Sequence, residues 1–169
     1  MTEEINIPPE ISDEEKYELL LVYADALINA NEPKITSLAN ICALLKQTFD
    51  KISWVGFYFY SDNTLYLGTF QGKTACTQIL LDKGVCGFCA SKQETIIVPD
   101  VDKFPGHIAC DSSSRSEIVV PLIVDGELFA VLDLDSTSYN AFNQIDKIYL
   151  EKLIELIKLK LDLSLFILS

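Results

Sequence analysis

His107 and Cys110 stand three residues apart in the stretch Phe104-Pro105-Gly106-His107-Ile108-Ala109-Cys110-Asp111-Ser112-Ser113-Ser114-Arg115-Ser116-Glu117. His107 is the sole histidine and Cys110 is one of five cysteines. The stretch is small, polar and carries a Pro-Gly pair, so it reads as a loop, and loops held by a rigid scaffold are where chemistry concentrates. The thiolate is the reactive form of cysteine. With His107 and Arg115 close enough in sequence to lower its pKa, Cys110 reads as a nucleophile, and Cys76 and Cys86 as the thiols that serve it. A second reading of His107 is that it only pins the loop through backbone hydrogen bonds.

The remaining polar candidates sit in apolar surroundings. Glu117 directly precedes the run Ile118 to Val124. Asp133 and Asp135 are two apart in an apolar strand pattern, so their side chains share one face. Carboxylates on an inner face are unfavourable unless satisfied, and therefore mark a site; the competing reading places them on the solvent face of an edge strand. Trp54 and Tyr58 are four apart on a predicted strand and also share a face, as a pocket wall or as plain core.

The elements that must position these residues follow from periodicity. Residues 1 to 11 read as a flexible tail, and residues 12 to 169 as one domain. Ser12 and Glu15 form a capping box for a helix burying Tyr17, Leu20, Leu21, Ala24 and Leu27-Ile28. Asn29 to Pro33 break it, and a second helix runs from about Ser37 to Phe49 with Cys42 as an inert core thiol. From residue 52 the pattern turns aromatic and β-branched: strands over 52 to 60 and Thr64 to Phe70 form a hairpin. A short helix opens near Lys83 and a short strand spans Thr95 to Val98. Ile118 to Val124 and Leu128 to Leu134 pair around Asp125-Gly126, a strong hairpin turn. Asn143 caps a last helix from Gln144 to about Leu168. The class is α+β with a mostly antiparallel sheet. The terminal Leu165-Phe166-Ile167-Leu168 either packs under the N-terminal helices or forms a homodimer contact.

Composition narrows the function. At 169 residues and 49% hydrophobic, the chain can fill a full core. A formal net charge of −12 repels phosphate backbones and anionic lipid surfaces, which argues against nucleic-acid and membrane partners. The acidic start Met1-Thr2-Glu3-Glu4 lacks the apolar core of a signal peptide, so a cytoplasmic, reducing setting is expected. Five cysteines in such a setting are more often free, catalytic or metal-bound than a disulfide framework.

Several segments together resemble the free methionine-(R)-sulfoxide reductases, which are single-domain GAF proteins. They are Trp54-Val55-Gly56-Phe57-Tyr58, Leu67 to Cys76, Lys83-Gly84-Val85-Cys86-Gly87, Val98-Pro99-Asp100-Val101, Phe104 to Val120, and Leu132-Asp133-Leu134-Asp135-Ser136. The resemblance implies a six-stranded antiparallel sheet with helices packed on it and a small closed pocket over one face. It implies reduction of free methionine-(R)-sulfoxide, no cofactor, and thioredoxin as external reductant. It matches Cys110 to the nucleophile, Cys86 and Cys76 to the resolving cysteines, Glu117, Asp133 and Asp135 to the pocket carboxylates, and Trp54 and Tyr58 to the aromatic wall. Cys89 departs from the family pattern and leaves open which cysteine pairs with Cys86.

Thiol reduction of a sulfoxide needs a thiolate, an acid for the sulfoxide oxygen, and a second thiol that collapses the sulfenic acid into a disulfide. Cys110 supplies the first. Glu117 or Asp135, desolvated against Trp54 and Tyr58, supplies the second, and acids there also suit a ligand carrying an ammonium group. Three rival readings remain. One is a non-catalytic GAF sensor for a small ligand. A second is zinc held by Cys86, Cys89, His107 and Cys110. The third is thioredoxin-like use of Cys86-Gly87-Phe88-Cys89, which needs a βαβ setting that the flanks do not show.

Overall fold

The computed structural model of the chain describes residues 5–106 and 111–163. Helix α1 spans Asp13–Leu27 and α2 Lys34–Thr48; strands β1 (Trp54–Ser61), β2 (Thr64–Gln71) and β3 (Gln78–Leu80) follow. Helix α3 (Gly84–Lys92) leads to β4 (Ile96–Val98), a 3-10 turn at Val101–Lys103, β5 (Ser116–Val124), β6 (Glu127–Ser136) and α4 (Gln144–Lys160). The strands form one sheet in the order β3-β2-β1-β6-β5-β4, every neighbouring pair antiparallel. This is the expected α+β arrangement, with the first and last helices packed together.

The period-2 alternation of the central strands decides which face does what. Val55, Phe57 and Phe59 of β1, Ile118, Val120 and Leu122 of β5, and Ala130, Leu132 and Leu134 of β6 face α1, α2 and α4, where they build the larger core. The residues between them point the other way, under α3, into a smaller core that includes Trp54, Tyr58, Val119 and Val131. The Ser12–Glu15 capping box is present, as is the Asn143 cap, whose partner is Asp146. Asp146 is fully buried and accepts from Tyr17 Oη at 2.8 Å, Lys51 Nζ at 2.7 Å and the Asn143 amide at 2.8 Å. Lys51 also reaches Asp13 at 2.6 Å.

Four expectations differ from what forms. Helix α2 starts at Lys34, because Pro33 takes the cap position, where its missing N–H does no harm. The short strand β3 lacks an alternation of its own and exists through its pairing with Thr64–Tyr66 of β2. Helix α4 stops at Lys160: Leu161 adopts φ −110°, ψ 126°, which lets Leu161 and Leu163 turn inward and become buried. The apolar end at Leu165 to Leu168 lies outside the described residues. Ile5 and Ile7, within the expected tail, pack against the larger core.

Candidate functional site

Sheet register gathers the carboxylates. On β1, β6 and β5, Trp54 pairs with Asp135 and Asp135 with Glu117, so the three side chains form one row across the sheet. One step along, Gly56 pairs with Asp133 and Asp133 with Val119. Residues two apart on a strand share a face, and Glu117, Asp133 and Asp135 accordingly all line one pocket. β6 lies in the middle of the sheet, so the solvent-face alternative for the two aspartates is excluded. The indole of Trp54 lies over Gly56 and Gly72. A Cβ on either would sit 2.5 Å from the ring, and Gly72 also holds φ +137°.

The opposite wall is α3 and two loops. Cys86, in the first turn of α3, places its thiol 3.9 Å from Glu117 Oε1. Thr74 and Ala75 of the β2–β3 loop line the pocket, as do Asp111 and Ser114 of the loop before β5. Two aromatic side chains strap the β2–β3 loop down: Trp54 Nε1 donates to the Lys73 carbonyl at 3.0 Å, and Tyr58 Oη to the Cys76 carbonyl at 3.1 Å. Trp54 and Tyr58 are therefore both wall and anchor. Cys76 is disulfide-bonded, whereas Cys42, Cys86 and Cys89 are buried free thiols. Cys42 faces Thr69 on the far side of the sheet, and burial raises its pKa to about 12, in keeping with an inert core thiol. His107 and Cys110 lie outside the described residues.

The electrostatics are those of a pocket short of positive charge. Among the described residues no lysine or arginine lines it. Burial, then the charges of Asp133 and Asp135, push the Glu117 carboxyl well above the usual range. Burial, then the charge of Asp135, does the same to Asp133. Asp135 rises to about 6, again chiefly through burial, against a lowering hydrogen bond from Ser114. Glu117 and Asp133 are each only 6% exposed and interact directly, so they hold a proton between them rather than two negative charges. Asp133 Oδ1 is buried with no hydrogen-bond partner among the described residues. Burial and the same carboxylates raise the pKa of the Cys86 thiol, which keeps it protonated.

Of the rival zinc set, Cys86, Cys89, His107 and Cys110, only Cys86 and Cys89 lie inside the described residues. Cys89 donates to the Val119 carbonyl at 3.5 Å and lies in the seam between α3 and β5. The thiol of Cys86 and one oxygen each of Glu117 and Asp133 lie within 4.8 Å of one another, close enough to share a cation. The Cys86–Cys89 pair sits inside a helix that follows an antiparallel strand, not in a βαβ unit.

Sequence reasoning missed Lys73, Asp111 and Ser114. Lys73 Nζ reaches Asp111 Oδ2 at 3.1 Å and Ser113 Oγ at 3.1 Å. The signal available was position alone: Lys73 stands three before Cys76, and Asp111 directly after Cys110. Arg115 donates to the carbonyls of Ser112 and Ser114, fastening the end of its own loop.

The GAF domain family matches residues 36–162. The chain is 44% identical over 161 residues to the free methionine-R-sulfoxide reductase of Saccharomyces cerevisiae, covering 90% of this chain and 89% of that protein. It is 43% identical over 130 residues to the free methionine-R-sulfoxide reductase of Escherichia coli, covering 77% and 79%. The X-ray structure of free methionine-R-sulfoxide reductase from Neisseria meningitidis in complex with its substrate superposes with a TM-score of 0.88 at 39% identity, over 95% of this chain and 98% of that one.

Proposed function

The chain belongs to the free methionine-R-sulfoxide reductases of the GAF domain family, and we propose that it reduces free L-methionine-(R)-sulfoxide to methionine. The observation that carries this reading is a buried set of three carboxylates, Glu117, Asp133 and Asp135, facing an aromatic wall with no basic side chain among the described lining residues. Such a set calls for a cation. The ammonium of a free amino acid provides one, and Asp133 Oδ1 offers it an acceptor. A peptide-bound methionine has no ammonium on its own α-carbon and loses this anchor. Trp54 and Tyr58 take the apolar part of the substrate.

In the chemistry that we assign, the Cys110 thiolate attacks the sulfoxide sulfur. Glu117, whose buried carboxyl retains its proton, donates to the sulfoxide oxygen, with Asp135 as the second carboxyl within reach of that role. The oxygen passes to Cys110 as a sulfenic acid and methionine leaves. A second thiol then attacks the sulfenic sulfur, forming a disulfide and releasing water. Cys76 is the favoured resolving thiol: it is the disulfide-bonded one, while Cys86 is a protonated free thiol beside Glu117. An external dithiol of the thioredoxin class returns the enzyme to its reduced state, and no bound cofactor is required. Cytoplasmic placement and a homodimer using the apolar C-terminus belong to the same reading.

The test is turnover of free L-methionine-(R)-sulfoxide in a thioredoxin-coupled assay, wild type beside Cys110→Ser. The expected result is activity in the wild type and loss of at least about a thousandfold in the variant, the scale seen when a covalent nucleophile is removed. Absence of turnover by freshly reduced wild type overturns the assignment.

A further inference from the structure

An ionic contact, Lys73 to Asp111, joins the loop that carries Cys76 to the loop that carries Cys110. Lys73 belongs to the β2–β3 loop, three residues before Cys76; Asp111 opens the described part of the loop before β5 and adjoins Cys110 in the chain. Lys73 Nζ lies 3.1 Å from Asp111 Oδ2, 3.4 Å from its Oδ1, and 3.1 Å from Ser113 Oγ. Both ends of this contact are fixed from behind. Trp54 Nε1 holds the Lys73 carbonyl at 3.0 Å, and the Ser113 amide donates to Asp111 Oδ1 at 2.9 Å, which aims the carboxylate at the lysine. A contact so anchored restrains the approach of one loop to the other.

We propose that Lys73 and Asp111 are positioning residues for disulfide formation: their ion pair raises the effective concentration of the Cys76 thiol at the oxidised Cys110. This rests on the reading above in which Cys110 becomes the sulfenic acid and Cys76 resolves it. The step it favours is attack of the Cys76 thiolate on the Cys110 sulfenic sulfur, which forms the S–S bond, breaks the S–O bond and releases water once the leaving hydroxide gains a proton. Methionine sulfoxide is the oxidant already consumed, so no further reagent enters. Holding two reacting groups together converts the resolving step from a search between loops into a local closure. The side chain of Lys73 is 70% exposed, so the gain is that of one surface ion pair and is screened by salt. The same restraint also makes the disulfide harder to open.

The test reads the disulfide directly and needs no substrate. Wild type, Lys73→Met, Asp111→Asn and the charge exchange Lys73→Asp with Asp111→Lys are equilibrated in dithiothreitol redox buffers, and the Cys76 disulfide is scored by maleimide gel shift and peptide mass. Either single variant is expected to shift the half-reduction ratio about two- to fivefold toward easier reduction, the scale of an exposed ion pair. The exchange returns it toward the wild-type value, and about 0.5 M salt brings wild type to the value of the single variants. In single turnover with methionine sulfoxide, Lys73→Met leaves more dimedone-trapped sulfenic acid than wild type. A half-reduction ratio that is the same in all four proteins overturns the proposal, as does a shift in the single variants that neither the exchange nor salt affects, since lost packing alone gives that pattern. A wild type that fails to turn over methionine sulfoxide overturns the functional reading, while the half-reduction ratio still reports on the ion pair.

Discussion

Asp146 and Asp133 are both buried carboxylates, one on each side of the same sheet, and they are partnered in opposite ways. Asp146 receives an ammonium, a phenol and a backbone amide, all at 2.7–2.8 Å. Asp133 meets two further carboxylates and a thiol, and one of its oxygens has no partner among the described residues. A buried charge with a full set of donors ties elements together: here α1 through Tyr17, the α2–β1 connection through Lys51, and α4 at its own cap. A buried carboxyl with an acceptor left over destabilises the fold until a ligand arrives. The difference separates the part of the molecule built for stability from the part built for binding.

The largest effect expected is a crossed one. Asp146→Ala leaves Lys51, a side chain only 20% exposed, with Asp13 as its remaining carboxylate, and should lower stability by about 3 kcal/mol, the scale for a broken buried pair. Turnover per folded molecule should stay near wild type. Asp133→Asn should do the reverse. It keeps the shape and removes a like charge, so stability holds or rises. It also weakens the hold on the substrate ammonium, so kcat/KM for free methionine sulfoxide should fall by roughly 30- to 100-fold, the loss expected when one partner of a buried charge pair is removed. Urea denaturation and steady-state assays on both variants decide it. If Asp133→Asn unfolds the protein and Asp146→Ala spares it, Asp133 is the stabilising carboxylate and Asp146 is not.

How much of this contrast the sequence carried depends on whether period or distance sets the feature. Asp133 and Asp135 share a face because strands have period 2, and that was legible. Which face they take was not: it depends on β6 lying in the middle of the sheet, which is set by pairings more than 70 residues apart in the chain. The Trp54–Asp135–Glu117 row likewise needs the register of three strands. Asn143 announced the cap of α4, but nothing local announced that Asp146, three residues on, would meet Lys51 and Tyr17, at separations of 95 and 129 residues. The end of α4 is not legible, because leucines at positions 161 and 163 continue an apolar pattern that the backbone does not continue as helix. Cys76, Cys86 and Cys110 stand out by type and flanks, whereas the straps on the β2–β3 loop, from Trp54 to the Lys73 carbonyl and from Tyr58 to the Cys76 carbonyl, appear only when β1 is seen under that loop.

A smaller effect follows from pH. Folding raises the pKa of Asp135 to about 6 from its ordinary value near 3.8, so the folded state binds the proton more tightly than the unfolded chain. The stabilising contribution is therefore fully present below about pH 4 and is lost as pH rises through 6. Between pH 7 and pH 5, Asp135 should return about 1 kcal/mol of stability. The acidic chain as a whole also relaxes as pH falls, so the quantity to measure is the difference between wild type and Asp135→Asn across this range. A difference that does not vary with pH places Asp135 outside the strained group and leaves Glu117 and Asp133 to account for the pocket.

The smallest effect sharpens the contrast at a single hydroxyl. Tyr58 is buried in the wall of the pocket, yet its hydroxyl is used on the Cys76 carbonyl. In Tyr58→Phe the ring stays and the strap goes. One neutral hydrogen bond to a half-buried loop is worth about 1 kcal/mol or less, so the melting temperature should move by no more than roughly 3 °C. The rate at which the Cys76 disulfide forms after one turnover should fall about threefold, because the resolving thiol is then less well placed. Substrate affinity should be unchanged, since the aromatic face remains. If affinity falls and disulfide formation keeps its rate, the hydroxyl belongs to the substrate and Tyr58 is wall only; the two measured together therefore assign the residue.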